Sequence, residues 1–149
     1  MLGQKRIAFV GAGNMAEALI KGLISSGVVP PEHISACDRH ADKLAKVAQK
    51  HKIHSSNANA VAVAEADIVV LAVKPQVLAG VLDALREAMP PNALVLSVAA
   101  GISTATIESH LAPEARVVRS MPNTAAVVGR SATAICAGKN STDEDLEVA

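Results

Sequence analysis

Apolar residues recur along this chain in two patterns that alternate with one another. Short runs rich in β-branched residues, at 7–10, 34–37, 68–73, 94–98, 117–119 and about 131–136, carry almost no polar positions. Such runs predict short strands buried on both faces. Between most of them the spacing changes. Met15, Leu19, Ile20, Leu23 and Ile24 form one apolar stripe at helical period, as do Val77, Leu78, Val81, Leu82 and Leu85. Pro75 precedes the second stripe, where proline suits a helix entrance. Residues 41–51 and 58–65 are weaker, Ala-rich helix patterns. Buried strands alternating with amphipathic helices predict βαβ units: an α/β fold with a mostly parallel sheet and helices on both faces. No repeat, linker or low-complexity segment interrupts the pattern.

Composition narrows the partners. The 149 residues are 50% hydrophobic and 19% charged, with a mean hydropathy of +0.32, which suits one domain with a real core and excludes disorder. Lys+Arg and Asp+Glu are 14 each, and Phe9 is the only aromatic residue. Neither a basic field nor a stacking platform exists, so no nucleic-acid partner is expected. No run reaches the ~20 apolar residues of a bilayer span, so no membrane partner is expected. Cys37 and Cys136 form no CxxC pair and read as small core residues of a reduced, cytoplasmic protein. His51 and His54 are the closest histidine pair; with no third donor they read as solvated, and no metal site is expected.

The strongest local signal is Gly11-Ala12-Gly13-Asn14-Met15-Ala16, a G-x-G-x-x-A sequence between a predicted strand and a predicted helix. Gly11 permits the tight turn, Gly13 lets a pyrophosphate approach the backbone, and Ala16 packs the helix closely on the strand. The helix then turns its free N–H groups toward the phosphates. Asp38 follows the second strand at the distance of a ribose-binding acid. These features predict a Rossmann-type dinucleotide site. Asp38 and Arg39 pull in opposite directions on the cofactor. A carboxylate suits the 2′-hydroxyl of NAD, whereas a guanidinium suits the 2′-phosphate of NADP, and the preference stays open. Lys74 closes an apolar run at the predicted ligand end, while Asn123 fits either a site or a turn that bonds its own backbone.

GAGNMA, AVKPQ (Ala72–Gln76), SVAAGI (Ser97–Ile102) and MPNTAA (Met121–Ala126), in that order, closely resemble pyrroline-5-carboxylate reductase over essentially the whole chain. The resemblance implies an NADPH- or NADH-dependent oxidoreductase of proline biosynthesis, reducing the small-molecule imine Δ1-pyrroline-5-carboxylate to L-proline. It implies that Val10, Gly11, Ala12, Gly13, Asn14 and Met15 wrap the pyrophosphate. Asp38 and Arg39 would lie at the adenosine ribose, and Asn59 would reach the adenosine end. Ala72, Val73, Lys74 and Pro75 would follow the nicotinamide ribose with Ala100 nearby, and Pro122, Asn123 and Thr124 would face the substrate. Many members carry a small polar residue in place of Asp38, a departure that keeps NADH open.

Ser141 to Glu144 has the S-x-x-E pattern that opens a helix, with few residues left to complete one. The segment fits a frayed polar tail or the start of a cut helix. With the resemblance, the chain reads as a dinucleotide-binding domain over 1–140, followed at 141–149 by a truncated helix leading to an absent C-terminal domain. In the reductase family that domain completes the substrate pocket and makes the homodimer or higher oligomer. No proton donor for the imine stands out in these residues, so the fragment is expected to be inactive alone. The alternatives are a β-hydroxyacid-dehydrogenase-like oxidoreductase and a non-catalytic nucleotide-sensing domain.

Overall fold

Alternate residues of each central strand enter opposite layers of the molecule. The computed structural model describes residues 2–123, 125 and 132–149. Strands β1 (Ile7–Val10), β2 (Ile34–Cys37), β3 (His54–Ser56), β4 (Ile68–Leu71), β5 (Leu94–Ser97), β6 (Arg116–Pro122) and β7 (Thr133–Ala137) form one sheet in the order β3-β2-β1-β4-β5-β6-β7. Every pair is parallel except β6 with β7. The helices are α1 (Asn14–Ser25), α2 (Ala41–His51), α3 (Asn59–Val63), α4 (Pro75–Leu85), α5 (Thr104–His110) and α6 (Asp143–Val148).

Ile7 and Phe9 of β1 join Ile34, Ala36, Ile68 and Val70 in a layer under Ala16 and Ile20 of α1 and Leu44 and Val47 of α2. Ala8 and Val10 join Val69, Leu71 and Val95 in the opposite layer, against Leu78, Leu82 and Leu85 of α4 and Ile107 of α5. This explains why the strand runs carry no polar alternation: both faces are covered. Glu17 on α1 ties the first pair of helices, accepting from Lys50 Nζ at 2.7 Å and contacting His51 Nε2 at 3.2 Å. His51 is therefore largely buried against the Glu17 carboxylate rather than solvated.

The expected Rossmann-type architecture is present, with differences at its margins. Strand β3 and helix α5 have no counterpart in the apolar pattern. Both are short, and β3 exposes His54 and Ser55 at the sheet edge. The last predicted strand is β7, beginning at Thr133; Ser131 lies outside the described residues. Cys136 is exposed on this edge strand, not in the core, because β7 has no covering layer.

The final helix is capped by Thr142, one residue after the Ser141 pattern. Its Oγ1 accepts from the Asp145 N–H while the Asp145 carboxylate accepts from the Thr142 N–H. Asp145 is buried and also accepts from Arg116 Nη1 at 2.7 Å, and Leu146 and Val148 pack on the layer holding α1 and α2. Tertiary contacts thus hold a helix too short to persist by itself.

Candidate dinucleotide site

The chain runs outward from β1 through β2 to β3, then returns to place β4 on the other side of β1. The crevice above the carboxyl ends of β1 and β4 is therefore the switch point at which open α/β sheets take ligands. The glycine-rich turn sits in it. Gly11 donates to Cys37 O of β2 at 2.8 Å, and Ala72, just past β4, donates to Val10 O at 2.8 Å. Gly11 adopts φ +104°, and a Cβ there would lie 2.6 Å from Ala72 O and 2.8 Å from its carbonyl carbon. Only glycine fits.

Gly13 differs. It is the uncapped N-terminal residue of α1, with extended backbone at φ −76° and ψ −177°, a conformation open to any residue. A Cβ built on it would meet only Lys43 Nζ, at 3.8 Å. Beside Gly13 no backbone stands in the way, only the far end of the Lys43 side chain, which leaves room for a pyrophosphate to approach the start of α1. The cofactor fits the residues present on this observation.

Asp38 is held beneath the same turn, its side chain 12% exposed. One carboxylate oxygen accepts from the Ala12 N–H at 2.8 Å; the other accepts from the His40 N–H and meets His40 Nδ1, both at 2.9 Å. Burial pushes the Asp38 pKa up, but the bonds from Ala12 and His40 outweigh it and hold the carboxyl below its usual value. Below the loop, burial pushes the Cys37 thiol up to about 11, so it stays protonated and is no nucleophile.

The other expected residues gather on the same edge. Arg39 is exposed beyond β2, and Asn59 begins α3 just after β3. Ala72 and Val73 are half-buried past β4, where exposed Lys74 precedes α4 and Pro75 opens it. Ala100 is exposed in the turn after β5. Pro122 ends β6, and Asn123 Oδ1 accepts from the Ala125 N–H at 3.1 Å, the backbone-bonding turn that its sequence allowed. Thr124 lies outside the described residues. Sequence reasoning passed over His40 and Lys43; their places two and five residues after Asp38, entering a helix, were the available signal. A cavity of about 370 Å³ lined by Arg6, His33, Ser35 and His54 lies at the opposite edge, at the amino ends of β2 and β3. Among the described residues no cluster could hold a metal, and no helix is long and apolar enough to cross a membrane.

Residues 6–101 match the family described as NADP oxidoreductase, coenzyme F420-dependent. The chain belongs to that family. It is 46% identical to a pyrroline-5-carboxylate reductase of Methanosarcina acetivorans over 145 residues, 97% of this chain and 54% of that protein. A Pseudomonas aeruginosa enzyme of the same name is 48% identical over 132 residues, covering 89% of this chain and 48% of that one. Among solved structures, a pyrroline-5-carboxylate reductase from Coxiella burnetii superposes with a TM-score of 0.90 at 35% identity, over 97% of this chain and 53% of that one. The chain spans about half the length of the curated relatives it matches.

The two glycines separate fold from binding. Gly11→Ala should cost on the order of 3 kcal/mol of stability in denaturant unfolding, from positive-φ strain and overlap with Ala72. Gly13→Ala should leave stability within about 0.5 kcal/mol yet weaken dinucleotide binding at least about tenfold through lost phosphate contacts. Equal effects at both positions would contradict the assignment.

Asp38 makes a second prediction, in acid. Its folded pKa lies below its unfolded one, so its stabilisation is complete above the unfolded value, about 3.9, and is lost as pH falls through the folded value. Below about pH 4 the parent chain should therefore lose stability more steeply than Asp38→Ala. Parallel pH–stability curves would remove the carboxylate from this role.

Proposed function

We propose that the chain is the dinucleotide-binding half of an NAD(P)H-dependent reductase that converts Δ1-pyrroline-5-carboxylate to L-proline. One observation carries the reading. The four sequence motifs that resemble such reductases begin at the carboxyl ends of β1, β4, β5 and β6, around one crevice. The likeness to the Methanosarcina acetivorans and Coxiella burnetii proteins supports the same substrate.

In this reading each part of the crevice has one task. Val10–Met15 pass the pyrophosphate along the loop to the first turn of α1. Asp38 braces the loop from below, and Arg39 and Asn59 flank the adenosine. Ala72–Pro75 set the nicotinamide ribose against the end of β4, with Lys74 at the lip and Ala100 opposite. The bound nicotinamide supplies the hydride. What the protein contributes is to hold ring and imine carbon in contact and to keep water out. Pro122 and Asn123 border the substrate side. The imine proton and the grip on the substrate carboxylate fall to the region that the longer relatives carry.

A chimera joining residues 1–149 to the remaining half of the Methanosarcina acetivorans protein tests this division. The 149 residues alone should bind NAD(P)H without forming proline. The chimera should reduce pyrroline-5-carboxylate at least about a hundredfold above the uncatalysed rate. Robust proline formation by the 149 residues alone would overturn the division of labour. A chimera that binds NAD(P)H but leaves the imine untouched would overturn the substrate.

A further inference from the structure

The amino ends of the strands, opposite the crevice, gather charged and imidazole side chains that the dinucleotide reading leaves without a task. Arg6 precedes β1, Glu32 and His33 precede β2, His54 opens β3 and Glu65 follows α3. All five line the cavity of about 370 Å³. His33 is half-buried, and its Nδ1 is buried with no hydrogen-bond partner. A buried polar atom left unpaired is unusual in a native fold and marks a place for a partner. Val61 belongs to the same wall yet is 68% exposed, beside the buried Ile34, Ala62 and Ala66. Arg6 Nη1 donates to Glu65 Oε2, and both side chains are exposed. Such an exposed pair adds little to stability. Among the described residues it leaves the other guanidinium N–H groups and the second Glu65 oxygen uncommitted.

Charge decides what the cavity can hold. A lone anion would meet Arg6 but also the carboxylates of Glu32 and Glu65, and a lone cation would meet the reverse. An uncharged apolar molecule would strip water from these groups and return no hydrogen bond. A small zwitterion with an apolar body matches both signs of charge and the Val61 wall. The volume agrees: it equals roughly twelve waters at ~30 Å³ each, room for a free amino acid and too little for a dinucleotide. We propose that this cavity is a second binding site, taking a free α-amino acid with an apolar side chain. The Arg6 guanidinium holds its carboxylate, Glu65 and Glu32 hold its ammonium, and its side chain covers Val61. His33, in the tautomer that carries its proton on Nδ1, donates to the same carboxylate. The inference stands apart from the dinucleotide reading, because cavity and crevice lie at opposite ends of the strands.

Amide chemical-shift titration of the labelled chain with each standard amino acid in turn tests the site without any turnover. At least one with an apolar side chain should saturate with a Kd below about 1 mM, moving residues 32–35, 54 and 61–66. Its two matched analogues, one lacking the amino group and one lacking the carboxylate, should each bind at least about tenfold more weakly. Arg6→Gln and Glu65→Gln should each lose about tenfold toward the amino acid while NADPH affinity changes by less than about twofold. No saturation by any amino acid would overturn the inference, as would shifts centred elsewhere. Analogues that bind as tightly as the amino acid would overturn it too, since one charge or the apolar body would then suffice. Undiminished binding by both folded variants would do the same. If a variant loses its folded amide spectrum, the matched analogues on the parent chain decide alone. Failure of NADPH to bind would sink the dinucleotide reading and leave this result standing.

Discussion

The backbone contact between Gly11 and Ala72 is the constraint on which the rest of the site depends. Strands β1 and β4 lie side by side, so the chain leaving β1 must turn away at once or collide with the chain leaving β4. Positive φ at Gly11 makes that turn, and the missing Cβ keeps it clear of the Ala72 carbonyl. The turn aims α1 across the sheet, and Ala16 and Ile20 then pack on Phe9 and its neighbours. The same turn leaves the N-terminus of α1 facing the crevice. Packing and binding thus share one backbone angle, although different glycines serve them.

The Asp38 carboxylate is the second layer of that construction. It links residues far apart in sequence, the Ala12 N–H and its own turn at His40, and so ties the end of β2 to the phosphate loop. A loop fixed before the cofactor arrives loses less freedom on binding. In the proposed reading, binding strength at the pyrophosphate therefore depends on a residue whose carboxylate is bonded within the protein.

Much of this was legible in the residues. Strands buried on both faces announce themselves as unbroken apolar runs, and α1 and α4 carry full apolar stripes. The G-x-G-x-x-A turn falls between β1 and α1 as its spacing implied, with Gly11 at positive φ. The misses have physical causes as well. Strand β3 is a three-residue edge strand with polar side chains, so its pairing with β2 rather than its composition makes it a strand. Helix α5 offers Ile107 alone to the core, and α6 stands on the buried Asp145 carboxylate paired with half-buried Arg116. Cys136 looked like a core residue because its neighbours are apolar, whereas β7 is exposed along its length. Spacing located Asp38 but said nothing of where its carboxylate points.

The central claim is that the crevice above β1 and β4 holds a dinucleotide pyrophosphate on the glycine loop. Amide chemical-shift mapping of the isotopically labelled chain with NADPH tests it most directly. Shifts should concentrate in residues 10–16, 38–43 and 72–75 and saturate with one equivalent. Shifts centred instead on the cavity beside His33 and His54, or no shifts at millimolar NADPH, would contradict it.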